Sequence, residues 1–299
     1  MSILPTFDTL NEYVSAGERL SDADLLELSR APDILQIGML ADVARRRLNG
    51  ATVTYLRVIS RPWDQETVES MPPAAREVRL TGTPASLGAA LTAIDRTKVV
   101  AGDRTLSGFS WGDVVRLASS DGMSVASVLS RLRGAGLDAL VDVPLDTEGG
   151  VEPALEGLCG AEFRQIKLTV ERAPAVERAM LMLQAAAFQE RYRCIQAVSP
   201  LPSVLQPFRP TTGYEDVRGV AVARLAAPNI PMIQVDWLRY GPKLAQVALT
   251  FGADDLDGVS GSDDAPDGTR RAPIEELRRN IIAAGLTPAE RDGHFNLLA

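Results

Sequence analysis

Apolar residues recur with a helical period in the first fifty positions of the chain. Between residues 34 and 48 they follow one another at three- and four-residue steps, which predicts an amphipathic helix. Ser21 followed by Asp24 predicts the start of a preceding helix, because a hydroxyl and an acid at this spacing bind free backbone amides of the first turn. We therefore predict a helical extension over residues 1–50.

From residue 51 onward, short runs rich in β-branched residues alternate with amphipathic segments of helical length. The predicted strands cover residues 52–59, 77–81, 97–102, 139–143, 165–170, 193–198, 231–237 and 254–258. This alternation is typical of an α/β protein with a parallel sheet. It fits both a (β/α)8 barrel over residues 51–299 and an open doubly wound sheet, and the pattern alone leaves the two open.

Composition and charge disfavour several classes of protein. The 299 residues are 45% hydrophobic, and no apolar run approaches the ~20 residues that a membrane helix needs. The first residues lack the basic stretch and long apolar core of a secretory signal, so we expect a cytoplasmic location without membrane contact. The net charge of −8 disfavours nucleic acid as a partner, because such binding depends on lysine and arginine against phosphates.

Metal and redox chemistry are limited by the small number of soft ligands. The chain has two cysteines, Cys159 and Cys194, and one histidine, His294. Two thiols cannot by themselves hold a four-ligand zinc site or an iron–sulfur cube, and one histidine does not make a metal centre. We therefore expect no metal and no cofactor. Cys194 is expected to be buried and inert on an apolar strand.

The two ends of the chain carry a family resemblance. Residues 209–237, 244–258 and 276–298, together with residues 19–55, are similar in order and spacing to a group of radical S-adenosylmethionine enzymes. The group includes aminofutalosine synthase, dehypoxanthine futalosine cyclase and the deazaflavin (FO) synthases. The resemblance implies a TIM-type barrel with a closing carboxy-terminal segment. Aminofutalosine synthase looks nearest, which implies a link to the futalosine route to menaquinone.

The chain departs from this group where the group's cofactors bind. Members of the group carry C-x₃-C-x₂-C just after the first barrel strand, because three thiolates hold a [4Fe–4S] cluster whose fourth iron binds S-adenosylmethionine. Residues 56–73 occupy this position here and contain no cysteine. The glycine-rich turn that seats the cosubstrate's amino group is reduced to Gly82 between Thr81 and Thr83. The sequence therefore predicts a homologue without the cluster and without radical activity.

Polar residues near the predicted strand ends are candidates for ligand binding. Gln234 and Asp236 alternate with apolar neighbours and are predicted to face the barrel interior. Lys167 would bind a carboxylate if it points inward, and an outward orientation fits the sequence equally well. Arg209 lies in a loop that matches the group's substrate-side loop, where it would bind an anion. The full set of ligand-binding candidates is Lys167, Arg209, Thr212, Gln234, Asp236 and Trp237.

Two functions of different classes fit this sequence. A binding protein would hold a small anionic aromatic or nucleoside-like ligand, or would pair with a catalytic paralogue or with a second copy of itself. An enzyme recruited to non-radical acid–base chemistry would act on the same kinds of compound, as a lyase or a transferase, through a carboxylate that transfers protons. The candidates for that carboxylate are Asp142, Asp236 and Asp254, although Asp254 also fits a structural role beside the last predicted strand.

Overall fold

Parallel strands and helices alternate through the computed structural model, which describes residues 6–66, 71–204, 208, 212–262 and 274–298. The strands are β1 (Thr52–Pro62), β2 (Glu77–Thr81), β3 (Thr105–Gly108), β4 (Ile166–Val170), β5 (Ile195–Pro202), β6 (Met232–Asp236), β7 (Asp255–Ser260) and β8 (Thr287–Arg291). The helices are α1 (Phe7–Ala16), α2 (Asp22–Leu28), α3 (Ile34–Asn49), α4 (Leu87–Ala101), α5 (Trp111–Ser120), α6 (Val125–Gly134), α7 (Glu152–Gly160), α8 (Ala175–Tyr192), α9 (Gly213–Ala226), α10 (Trp237–Leu249) and α11 (Ile274–Ala283).

The strands form a closed ring. Its continuous part has the order β3-β2-β1-β7-β6-β5-β4, and all of its neighbours are parallel. Residues 139–144 close the gap between β3 and β4 through single parallel bridges, which join Ser107 to Ala139, Ser110 to Asp142 and Pro144 to Thr169. The ring therefore has eight parallel members, and the predicted (β/α)8-type fold is confirmed. We call the end where the strands begin the amino-terminal face and the end where they finish the mouth.

Strand β8 lies beside this ring. Its residues Thr287–Arg291 pair in parallel with Thr52–Leu56, the first half of β1, whereas β2 pairs with the second half of β1 from Val58 onward. Strand β1 is long enough to pair with β8 along its first half and with β2 along its second half. As a result, the carboxy-terminal segment reaches the barrel at its amino-terminal face.

Two predicted strands differ from the structure. Residues 97–102 were predicted as a strand, and this prediction is wrong: α4 continues to Ala101, because Ala93, Thr97 and Ala101 keep the four-residue spacing of its buried face. The strand follows at Thr105. The predicted strand 139–143 contributes only the single bridges described above.

The predicted helical extension contains α1, α2 and α3. Ser21 caps α2 by accepting a hydrogen bond from the backbone of Asp24 (3.1 Å), and Asp33 caps α3. Helix α3 packs against α9, and α2 packs against α8 and α9, so the extension covers the outside of the barrel. Within the described ranges, none of the helices has the length and apolarity required to cross a bilayer.

Candidate functional site

The barrel interior is lined by polar and charged side chains. Successive residues of a strand point to opposite sides of the sheet, so apolar Val78, Leu168, Val235 and Leu256 pack against the helices while their neighbours face inward. The inward-facing polar residues are Thr54, Glu77, Arg79, Ser107, Lys167, Thr169, Ser199, Gln234, Asp255 and Asp257. Charges on three of these strands must therefore pair with one another across the ring.

Asp257 is the centre of the charge network. Arg79 Nη2 donates to both of its carboxylate oxygens (2.9 and 3.1 Å), and Lys167 Nζ donates to Oδ2 (3.0 Å). Burial by itself would raise the pKa of this carboxyl, but the charges of Arg79 and Lys167 hold that pKa well below its usual range. Asp257 is therefore an anion that binds two cations from opposite sides of the barrel.

Glu77 balances the remaining charge. Its Oε1 accepts hydrogen bonds from Arg79 Nε (2.9 Å), from Arg79 Nη2 (2.7 Å) and from Ser107 Oγ (2.6 Å). Two cations, the partly buried Arg79 and the buried Lys167, are thus matched by two buried anions, Glu77 and Asp257. The structure resolves the two orientations of Lys167 that the sequence left open: the side chain points inward, and its charge is already paired with a protein carboxylate.

A second network closes the amino-terminal end of the barrel. Arg291 of β8 binds Asp255 with both arms of its guanidinium (2.6 and 2.7 Å), and both side chains are buried. Thr54 and Gln234 donate to the same carboxylate (2.5 and 2.6 Å). Gln234, a predicted ligand-binding residue, therefore faces the interior, but its side-chain amide donates to Asp255.

Asp254 lies at the amino-terminal face, just before β7. Its carboxylate accepts hydrogen bonds from Arg224 Nη2 (2.5 Å), Asn49 Nδ2 (2.5 Å) and the backbone N–H of Ile233 (2.8 Å). Arg224 and Asp254 are both fully buried. The mouth, where Asp142 and Asp236 lie, is at the opposite end, so the structure does not bring these three candidates together and favours a structural role for Asp254.

Asp142 lies at the mouth, between the ends of three ring members. Its Oδ1 accepts a hydrogen bond from Thr169 Oγ1 of β4, and its Oδ2 accepts one from Ser203 Oγ (3.3 Å), just beyond β5. Burial raises the pKa of this carboxyl, more than the two hydroxyls and the charges of Arg239 and Lys167 lower it. Among the described residues, its hydrogen-bond partners are hydroxyls rather than cations.

Asp236 and Trp237 form the junction between β6 and α10. Asp236 Oδ1 accepts a hydrogen bond from the backbone N–H of Arg239 (2.8 Å) and so caps the helix. The side chain of Trp237 is 4% exposed and belongs to the apolar core. Asp236 thus remains at the mouth with one carboxylate oxygen committed to a cap, and Trp237 packs inward from the helix.

Of the two candidates that precede α9 in the chain, the structure describes only Thr212. Thr212 caps α9: its Oγ1 accepts from the backbone N–H of Glu215 (3.2 Å), and the Glu215 carboxylate accepts from the backbone N–H of Thr212 (2.9 Å). Arg209 lies outside the described residues. Ligand binding by either residue stays a prediction.

Sequence reasoning missed most members of the two networks. The missed residues are Thr54, Glu77, Arg79, Ser107 and Arg291. A signal was present at residues 77–81, where two charged residues alternate with Val78 and Leu80 in a strand pattern. Such alternation is normally assigned to a solvent-exposed face, and only a closed barrel turns that face inward.

The residues present do not fit the iron–sulfur cluster that the family resemblance implies. The chain's two cysteines lie on α7 and just before β5, far along the chain from the β1–β2 connection, which holds no thiol. In that connection, Trp63 packs on the turn after β2, with its indole 3.0 Å from the point where a Cβ on Gly82 would stand. Arg96 donates to the Trp63 carbonyl (2.7 Å) and holds it there. Among the described residues, no group of three or more His, Cys, Asp and Glu side chains is arranged to hold a metal ion.

A cavity of about 490 Å³ lies outside the barrel, between α7 and α8. Its polar lining includes Glu152 and Glu156, which are already bonded to Arg191 and Tyr192. This cavity is separate from the polar residues of the mouth.

Comparison with solved structures defines the class of fold. The chain is similar to methylornithine synthase, with a TM-score of 0.63 and 14% identity over 94% of this chain and 97% of that one. It is also similar to the FeFe-hydrogenase maturase HydG from Carboxydothermus hydrogenoformans, with a TM-score of 0.68 and 11% identity over 95% of this chain and 79% of that one. At these identities the likeness shows a shared barrel fold.

Comparison of sequences identifies one matching protein family and several related enzymes. Residues 200–298 match the family described as CofH/MqnC C-terminal region. A 5-amino-6-(D-ribitylamino)uracil–L-tyrosine 4-hydroxyphenyl transferase of Archaeoglobus fulgidus is 31% identical over 64% of this chain and 64% of its own length. An aminodeoxyfutalosine synthase of Thermus thermophilus is 42% identical over 28% of this chain and 24% of its own length. The resemblance predicted from the sequence is confirmed, and the chain spans less than two thirds of either relative.

Proposed function

We propose that this protein is a homologue of the aminofutalosine synthase group without the iron–sulfur cluster, associated with futalosine-pathway menaquinone biosynthesis, and that it binds a nucleoside-like intermediate at the mouth of its barrel. The observation that carries the proposal is the position of Asp142, a partly buried carboxylate at the mouth with hydroxyl partners only among the described residues. In barrels of this class, ligands bind where the strands end.

The pairing of the interior charges supports a nucleoside-like ligand over an anionic aromatic one. Lys167 and Arg79 are both bonded to Asp257, so neither offers an unmatched positive charge to a carboxylate ligand. Asp142, by contrast, accepts hydrogen bonds, and Thr169 and Ser203 can reorient to donate or accept. Sugar hydroxyls and base N–H groups are the donors that such a cluster binds.

Loss of radical chemistry is supported by the ligand set. Reductive cleavage of S-adenosylmethionine needs a cluster as electron donor, and the chain offers two thiols where three are needed beside one another. We expect anaerobic reconstitution with iron and sulfide, followed by metal and acid-labile sulfide analysis, to leave the protein without stoichiometric iron. A stable cluster with absorbance near 400 nm would contradict this part of the proposal.

The ligand proposal is tested with Asp142→Asn. Calorimetric titration with aminodeoxyfutalosine should show binding to the unchanged protein, and the substitution should weaken it at least about tenfold, because a hydrogen bond to a charged group is lost. Asp121→Asn, an exposed site on α5's carboxyl end, is the matched control and should leave the affinity unchanged. Titration with 4-hydroxybenzoate tests the anionic aromatic ligand. Tighter binding of that compound, or equal affinity of Asp142→Asn, would overturn the proposal.

The same substitution has a predicted effect on stability. Because burial raises the pKa of Asp142 above 3.8, the folded state holds this proton more tightly than the unfolded state does. The ionised carboxylate therefore costs stability above the raised pKa, and Asp142→Asn should stabilise the protein near neutral pH. The difference should vanish below pH 3.8, where aspartate is protonated in both states. Denaturant unfolding at both pH values measures it, and a destabilised variant near neutral pH would contradict it.

A second candidate function is non-radical acid–base catalysis, as a lyase or a transferase. The raised pKa of Asp142 favours it, because a carboxyl that keeps its proton to higher pH can act as a general acid. Product formation from a bound nucleoside-like compound, with a pH profile that Asp142→Asn abolishes, would support this enzyme. Binding without turnover would favour a binding protein that works beside a catalytic paralogue or as a homo-oligomer.

A further inference from the structure

The two cysteines lie side by side although they are distant in sequence. Cys159 is in the last turn of α7, and Cys194 immediately precedes β5. Their sulfur atoms are 2.6 Å apart. Both residues are half-buried, so Cys194 is not the fully buried residue that the sequence predicted, and small solutes can reach the pair.

The surrounding structure holds the pair together. Arg191 and Tyr192, at the end of α8, bond to Glu152 and Glu156 on α7, with 3.2 Å between Tyr192 Oη and Glu156 Oε1. Arg193 then adopts a left-handed backbone conformation with φ of 53°, which turns the chain from α8 toward β5. These contacts hold α7 against the segment that leads from α8 into β5, and so they keep the two thiols close together.

We propose that Cys159 and Cys194 are a modification site that forms a reversible intramolecular disulfide with a hydroperoxide as the two-electron oxidant. One S–S bond forms and two S–H bonds break. Each sulfur loses one electron, the O–O bond of the peroxide takes up both electrons, and the two protons leave in water when the oxidant is hydrogen peroxide. The inference is independent of the proposed function, because the pair lies at the amino-terminal face and the proposed ligand site lies at the mouth.

The environment of the pair sets the order of the steps. Burial and the hydrogen bond with Cys159 raise the pKa of Cys194 to about 12, so Cys194 keeps its proton, and we assign the first attack on the peroxide to the sulfur of Cys159. Cys159 takes one oxygen from the peroxide to become a sulfenic acid. The sulfur of Cys194 then attacks the sulfur of Cys159, and its proton leaves with the hydroxyl as water.

Treatment of the full chain with hydrogen peroxide should lower its intact mass by about 2 Da and should yield a proteolytic peptide that joins the segments around the two cysteines. The melting temperature should rise by about 5 °C, because the bridge restricts the unfolded chain. Dithiothreitol should reverse both changes. Oxygen addition without the joined peptide, or a disulfide between two chains, would overturn the proposal.

Single serine substitutions test the order of attack. Cys194→Ser should accumulate a sulfenic acid on Cys159 that dimedone traps, whereas Cys159→Ser should resist oxidation under the same conditions. Both variants should lose the peroxide-induced rise in melting temperature and should bind aminodeoxyfutalosine as the unchanged protein does. The assigned order would be contradicted if dimedone labelled Cys194 in Cys159→Ser and did not label Cys159 in Cys194→Ser. Equal rises in both variants would show that the two sulfurs do not cause the effect.

Discussion

Asp257→Ala is expected to lower the free energy of unfolding by about 3–5 kcal/mol. The substitution removes the one carboxylate that binds both Arg79 and Lys167, and it leaves two buried cations with Glu77 alone. An unpaired charge in the interior costs several kcal/mol, because neither water nor a counter-charge replaces the lost partner. Equilibrium unfolding in denaturant, followed by circular dichroism, measures the loss.

Asp257→Asn separates charge from shape at the same position. Asparagine keeps the size of the side chain but offers one acceptor oxygen without a charge, so most of the loss should remain. Asp103→Asn, at an exposed position before β3, is the control and should change stability by less than about 0.5 kcal/mol. A loss below about 1 kcal/mol in Asp257→Asn would show that the two cations have other partners and that the network has been misassigned.

The Asp257 network also predicts a pH dependence. Because the folded-state pKa of Asp257 lies well below 3.8, its ionised form contributes stability at every pH above 3.8, and this contribution is lost as the pH falls from 3.8 toward the folded-state value. The stability difference between the unchanged protein and Asp257→Asn should therefore be constant from neutral pH to about pH 4 and should shrink below it. If the stability difference shrinks between pH 7 and pH 5, a group other than Asp257 causes the pH dependence.

Asp254→Ala should cause a loss of similar size, about 3–5 kcal/mol, at the amino-terminal face of the barrel. Arg224 would lose its carboxylate while its other donors remain on the carbonyls of Gly252 and Ile230. The side chain of Asn49 and the backbone N–H of Ile233 would lose the same acceptor. Thermal and denaturant unfolding report the loss.

The double variant Arg224→Met with Asp254→Leu tests whether the loss comes from the unpaired charge. Replacing both partners by apolar side chains of similar volume removes the charge along with its counter-charge, so this variant should be more stable than Asp254→Ala alone. Its affinity for aminodeoxyfutalosine should be unchanged, because the pair lies at the amino-terminal face. Equal instability of the two variants would mean that hydrogen bonds to Asn49 and Ile233, and not the charge, carry the effect.

These pairings limit what the barrel interior can bind. Lys167 was a candidate for a ligand carboxylate, and Gln234 was a candidate for a polar ligand group, yet each is bonded to a strand β7 aspartate. Asp142 is the candidate whose partners are two hydroxyls at the mouth. The charged interior is thus paired within the barrel, and the mouth is where we propose that the ligand binds.

The order of helices and strands was largely predictable from the sequence, because it depends on local patterns. Ser21, Asp33 and the apolar stripe of α3 specify their helices through neighbouring residues, and EVRLT at 77–81 has the alternation of a strand. The last strand, β8, was missed because TPAER has no strand pattern of its own. It pairs with the first half of β1, which lies on the amino-terminal side of the residues that pair with β2.

Local sequence also determined the absence of a three-thiolate motif after β1, since that absence follows from counting cysteines. The partners of the inward-facing charges were decided by the tertiary structure alone. Lys167 and Asp257, like Arg79 and Asp257, belong to strands that are far apart along the chain. Such groups meet only when the ring closes, because an inward-facing side chain finds its neighbours across the barrel and not along its own strand.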